Sequence, residues 1–210
     1  FRYEWLRRSA AGEPIFWSAA AGFTETKKQT LLAPPVRRRL AGLRSFAALE
    51  DVRSRFSAKA WEPSDLNWMT YAELHLRLPE LLLMRVDKMT MGAGLEARVP
   101  FLDHRLVELA LAIPTAVKLR HGELKAVLKR AIRGVIPDAI IDRPKQGFGV
   151  PLQEWFLGRL GEQARRDVRR FAEQSELLDP AAAAGVFDAR RGNEPWYLLN
   201  LALWWQRFVR

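Results

Sequence analysis

The sequence predicts a mostly helical chain, and three observations carry that reading. Apolar residues recur with a helical period in nearly every segment. Prolines and glycines stand where those segments begin and end. Alternating strand patterns are almost absent. About ten short helices are expected. Taken in order, Ser45 and Ser64 are placed to cap two of them, and "LAPPVRRRLAG" is the nearest thing to a joint. Pro79 followed by Glu80 suits the first turn of a helix carrying "LLLMRVDKMTM", because proline there loses no hydrogen bond and an acid complements the helix dipole. "LEARVPFLD" reads as extended, since Pro100 pushes Val99 out of helical dihedrals. Asp103 can cap "HRLVELALAI", which Pro114 terminates. In "GELKAVLKRAIRG" the apolar Leu124, Val127, Leu128, Ala131 and Ile132 share one face, cations line the other, and Gly134 supplies the stop. Asp179 with Pro180 opens a further helix that Gly192 closes, and Pro195 opens the last, "WYLLNLALWWQRFVR".

The chain has 210 residues, 49% of them apolar, which is enough for one domain with a real core, here taken as 1–210 and as incomplete. Lys and Arg total 34 against 24 Asp and Glu, and the net charge of +10 favours anionic partners without naming one. There is no cysteine, which excludes disulfides, thiol nucleophiles and Cys-based zinc sites; the three histidines are scattered. No apolar stretch approaches the roughly 20 residues of a membrane span, and "FRYEWLRRSA" lacks a leader's apolar region. The expectation is a cytoplasmic protein without membrane contact, whose start at Phe1 suggests a lost N-terminus.

Three places break the helical pattern. In "MRVDKMTM" the charges of Arg85, Asp87 and Lys88 interrupt an apolar helix, so an ion pair of Asp87 with Arg85, Lys88 or Arg98 is expected, with Met84, Met89 and Met91 as core filler. In "GLEARVPFLDHR", Glu96 and Arg98 fall on one side of an extended segment. "RPKQGFGVP" differs in kind. Gly147 and Gly149 allow close backbone approach or positive φ, and Pro144 and Pro151 fence the loop from both helices. Arg143 and Lys145 on such a loop point to an anion, and a compact ammonium suits charge developing on phosphate. A surface connector with two solvated cations is the plainer alternative, since no Walker loop or G-x-G-x-x-G is present.

In order, "LPELLLMRVDKMTMGAGLEARVPFLDHRLVELALAIP", "LKAVLKRAIRGVIP", "RPKQGFGVPLQEWF" and "WYLLNLALWWQRF" resemble the C-terminal half of the synthetase domain of glutamine-dependent asparagine synthetases, over roughly residues 65 to 210. "FRYEWLRR" resembles the segment that follows the family's "GADELFGGY" stretch, extending the likeness to the whole chain. The resemblance implies the helical C-terminal portion of an α/β ATP-pyrophosphatase domain, adenine nucleotide α-hydrolase-like, whose sheet-forming half is largely absent here. It implies ATP and Mg²⁺, the ion bound mainly by that absent part. It also implies aspartate activated as β-aspartyl-AMP, and ammonia from a separate glutaminase domain. Lys145 then matches the lysine that steadies the phosphorus transition state, with Arg143, Gln146 and Gly147 as substrate- or phosphate-binding neighbours. Lys88 matches a position where β-lactam-forming relatives carry a glutamate, so lysine there implies amidation by ammonia. Asp87, Glu96, Arg98 and Asp103 are structural motif positions, and no metal ligand is assigned.

The "SGGxDS" loop, the "GADE" stretch and the glutaminase cysteine are not in the chain, so by itself it is expected to bind ATP poorly and to be inactive. The "FSDG" continuation is also missing, which leaves open a paralogue acting on another carboxylate. From another class, a basic helical nucleic-acid module would use the cations of "ELKAVLKRAIRG", but no recognisable reading motif accompanies them. A homodimer is left open. Trp196, Trp204 and Trp205 are expected to pack against the absent sheet, leaving apolar surface uncovered.

Overall fold

The computed structural model describes residues 2–16, 22–147, 149–188 and 192–209. Phe1, Phe148, Arg210 and residues 189–191, all within stretches named above, lie outside the described residues. The chain is mostly α. Its described residues form α1 (Arg2–Ala10), α2 (Glu25–Leu31), α3 (Pro34–Arg39), α4 (Glu50–Lys59), α5 (Asp65–Ala72), α6 (Met84–Met91) and α7 (His104–Ala112). There follow α8 (Thr115–Lys118), α9 (Ala126–Ile132), α10 (Asp138–Ile141), α11 (Leu152–Leu157), α12 (Arg159–Ser175), α13 (Pro180–Gly185) and α14 (Glu194–Phe208). β pairing among these residues is confined to two isolated bridges, Leu32 with Leu178 and Arg133 with Ile136. No described helix is long and apolar enough to cross a membrane.

The chain divides into two compact units, Phe1–Ile15 with Ala21–Ala48 and Phe148–Arg210, and Phe16–Ala20 with Leu49–Gly147. The first is organised by α12, where Ala164, Val168, Phe171 and Ala172 fall at helical spacing and are buried, while Arg166, Arg169 and Arg170 face solvent. Leu31 of α2, Ala183 of α13 and Leu198, Leu199 and Ala202 of α14 complete that core. The Phe171 and Trp205 rings meet edge to face at 5.6 Å. None of the caps and stops read above marks α12, although its apolar period is plain in the sequence. Gly161 lets α11 approach: a Cβ there would stand 1.9 Å from the Phe156 carbonyl oxygen.

The second unit packs Val52 and Phe56 of α4 on Trp68 and Ala72 of α5. The Trp68 indole N–H donates to the Phe16 carbonyl at 2.7 Å, and the Arg53 guanidinium lies 4.8 Å over the Trp68 ring. From α5 the backbone continues without a break through Glu73–Leu83 into α6. Pro79 therefore does not open a helix but sits inside one. It has no N–H to give, and its ring excludes the preceding-turn carbonyl, so the stretch widens to π-type turns in which the Met84 N–H donates to the Pro79 carbonyl.

Ser64, Asp103 and Asp179 cap as expected, accepting from the backbone N–H of Asn67, Arg105 and Ala182. Ser45 does not cap: its N–H donates to Glu25 Oε1 at 3.0 Å, and its hydroxyl meets the Lys28 ammonium. The expected joint at residues 32–42 contains α3, because two prolines fit a first helical turn without losing a bond. Left-handed Lys125, at φ 61°, delays α9 until Ala126, and Gly134 at φ 80° follows its end. The helix opened by Asp179 stops at Gly185, well before Gly192. Trp205 is inside the first unit's core fringe, whereas Trp196 and Trp204 remain partly exposed.

Candidate functional site

The run 143–151 emerges between α10 and α11, so its regular neighbours stop on either side of the two prolines. Residues 143–147 are all exposed, and Arg143, Lys145 and Gln146 have no hydrogen-bond or ion-pair partner among the described residues. Gly147 and Gly149 do not use positive φ, and a Cβ on either would meet nothing within 4 Å. Of the two reasons for glycine, close approach of backbone to another molecule therefore remains and left-handed geometry does not. Phe148 lies outside the described residues.

The base of this loop is built more firmly. Arg133, at the end of α9, donates from Nη1 and Nη2 to both carboxylate oxygens of Asp142, at 2.9 and 2.6 Å. It also reaches Asp138 Oδ1 at 3.0 Å. Those hydrogen bonds hold the Asp142 carboxyl below its ordinary value against desolvation, and raise the guanidinium further. Ile141, next to Asp142, is buried. Arg133 reads in sequence as one more outward-facing cation. Its signal is the spacing of Asp138 and Asp142 one helical turn apart after Pro137.

The other candidates lie on α6 and in the segment after it. Lys88 and Asp87 are exposed on α6, and Asp87 makes no ion pair among the described residues. Arg98 pairs instead with Glu96 at 3.1 Å, two residues apart in the irregular segment after α6, with both side chains well exposed. The expected desolvation fails because nothing among the described residues covers that helix: Met84, Met89 and Met91 are exposed too, Met89 at 72%. Asp103 caps α7 and also takes Arg105 Nε at 3.3 Å; the Arg105 hydrogen bonds hold its carboxyl below the usual value. No hydrogen bond or ion pair joins Lys88 to the 143–147 run among the described residues.

A second polar cluster in the same unit has no counterpart in the sequence reading. Glu62 Oε2 accepts from the Thr115 N–H at 2.9 Å and from Asn67 Nδ2 at 3.1 Å. Asn67, buried, returns its own oxygen to Lys118 Nζ at 3.1 Å, and Ser64 and Thr115 share a 2.8 Å hydroxyl bond. The Thr115 N–H leads in lowering the Glu62 pKa, while burial lowers that of Lys118. Every polar atom named here has a partner, so the cluster reads as a brace between α5 and α8. Beside it, Phe16, Leu66, Met69, Leu74, Leu78 and Leu82 line an open apolar trough of about 390 Å³.

No group of three or more His, Cys, Asp or Glu side chains that could hold a metal lies together among the described residues.

Comparison with known proteins adds what geometry alone does not. The sequence model described as asparagine synthase matches residues 2–206. The chain is 34% identical over 162 residues to glutamine-hydrolyzing asparagine synthetase 1 of Bacillus subtilis, covering 73% of this chain and 25% of that protein. With glutamine-hydrolyzing asparagine synthetase 3 of the same organism it is 48% identical over 67 residues, 32% of this chain and 11% of that one. With the Gallus gallus glutamine-hydrolyzing asparagine synthetase it is 32% identical over 132 residues, 57% and 22% of the two. The chain thus spans about a quarter, at 25%, of the length of the first of these relatives. No solved structure gives a significant match.

Proposed function

The chain belongs to the asparagine synthase family, and from that premise we propose that it supplies part of the synthetase site of a longer enzyme that amidates aspartate at the expense of ATP. In this reading a β-carboxylate oxygen of aspartate attacks the α-phosphorus and the bond to pyrophosphate breaks. Ammonia then attacks the acyl carbon, gives up a proton, and the bond to AMP breaks. Such chemistry asks the protein for positioned positive charge, not for a nucleophile of its own.

One observation carries the reading. Lys145 is an exposed ammonium with no partner among the described residues, on a glycine-lined loop with open space around its backbone. A cation without an internal partner is free to meet phosphate oxygens, and the loop can come within hydrogen-bond distance of them. Arg143, Gln146 and Gly147 would line the same contact. Lys88, on α6, would act on the amidation half of the reaction. The rest of the enzyme would supply the remaining triphosphate contacts and the ammonia, which the relatives' names assign to glutamine hydrolysis in those proteins.

The test is aspartate-dependent exchange of pyrophosphate into ATP by the longer protein that carries this chain. Lys145→Ala is expected to lower the exchange rate by about 10²–10³-fold, the range for losing one transition-state donor, with the circular dichroism spectrum unchanged. Exchange at the original rate in that variant ends the assignment.

A further inference from the structure

We propose that Arg133, with Asp142 and Asp138, is the positioning device of the Lys145 loop: a guanidinium fork that fixes where the loop leaves the helical unit and so where its ammonium is carried. This rests on the synthetase reading above and extends it to residues outside the "RPK" run.

The trio is poorly placed to stabilise the fold. Its side chains are 42%, 51% and 67% exposed, for Arg133, Asp142 and Asp138. Ion pairs that wet contribute little to stability. Yet the geometry is bidentate, the arrangement that gives direction as well as attraction, and a lysine could not reproduce it. What it directs is set by the chain. Asp142 immediately precedes Arg143, and the loop ahead holds itself poorly: none of residues 143–147 enters a backbone hydrogen bond among the described residues. Just before the loop, Ile141 is anchored inside the unit, Asp142 is anchored outside it, and the Asp142 N–H donates to the Asp138 carbonyl at 2.9 Å. The stretch 143–147 therefore inherits its placement from its base. Lys145 stands three residues beyond the fork with nothing else to orient it.

The experiment uses the longer protein and two readouts, cleavage measured without ligands and exchange measured with ATP, aspartate and pyrophosphate. Trypsin cuts after Lys145, whereas Arg143 is protected by Pro144, so the rate at which Gln146 becomes a new N-terminus reports loop order. Pyrophosphate exchange reports delivery of the ammonium. Asp142→Asn is expected to raise the cleavage rate and to lower kcat, each by about tenfold, with KM for ATP unchanged, because misplacement of a transition-state group is felt in kcat. Arg133→Lys, which keeps the charge and loses the fork, is expected to fall between, and serves if Asp142→Asn does not fold. Glu123→Gln removes another ion pair involving α9, the 2.8 Å contact to Lys129, and is expected to change neither readout. Unchanged cleavage in Asp142→Asn overturns the proposal, as does faster cleavage with kcat intact. If the unaltered protein shows no exchange, the synthetase reading falls, and the cleavage rates still decide whether the fork holds the loop.

Discussion

The two units of the chain differ in the size of the core they close. In the first, α12 closes its apolar stripe against α13 and α14, and Ala164, Val168, Phe171, Ala183 and Ala202 have no accessible surface at all. In the second the buried cluster is Val52, Phe56, Trp68 and Ala72 alone, and Phe101, Leu109 and Leu124 stay in contact with water, as Tyr3, Leu6, Leu157 and Phe208 do at the edges of the first. Lys88 and Lys145, proposed above for the site, both belong to the unit with the smaller core, and the first of the relatives is about three times as long as the chain, 162 aligned residues making up 25% of it. Large exposed apolar area on a folded chain marks an interaction surface.

Substitutions can break or sharpen that contrast. The largest effect is expected from Phe171→Ala, which empties a filled site between α12 and α14 and should cost about 3–5 kcal/mol in denaturant unfolding. A loss below about 1 kcal/mol would mean that the first unit is no better packed than the second. Gly161→Ala should cost about 1–3 kcal/mol, since the new methyl collides with a backbone carbonyl that can retreat only if α11 shifts. Next comes acid. The Glu62 carboxyl is held below its ordinary value chiefly by the Thr115 N–H, so its contribution is full above the unfolded-state pKa, about 4.3, and is lost as pH falls through the lower folded value. Protection of the Thr115 amide, its exchange rate relative to that of an unprotected amide at the same pH, should therefore fall only at acid pH, and Glu62→Gln should remove that dependence; an unchanged profile would show that the brace does not rely on the carboxylate. The smallest effect is expected from Met89→Ala on α6, within about 0.5 kcal/mol. A cost of several kcal/mol would mean that this face is covered in solution and would erase the contrast.

Much of this architecture is legible in the sequence, and the failures share a cause. Ser64, Asp103 and Asp179 cap because a short polar side chain can reach N–H groups two or three residues on, a local fact. Pro79 misleads because the rule for prolines assumes an ordinary α-helix, and the chain escapes it by widening its turns. Asp87 and the methionines mislead because an apolar helix is assumed to be covered, and burial is not local. The loop at 143–151 is visible as a loop, and Lys145 as its cation, from composition alone. The fork at its base is not, since Arg133 and Asp142 are nine positions apart and come together only because Gly134 and Pro137 turn the chain back.

By itself, then, the sequence determined the helical class, several helix ends, the charge, the lack of thiol chemistry and the family resemblance, all of which are read from residue types and their spacing along the chain. Tertiary structure alone decided which apolar faces close and which stay open, which charges pair, and that Lys145 stands free beside a clamped base. Those outcomes depend on contacts between residues far apart in the chain, where local periodicity carries no information.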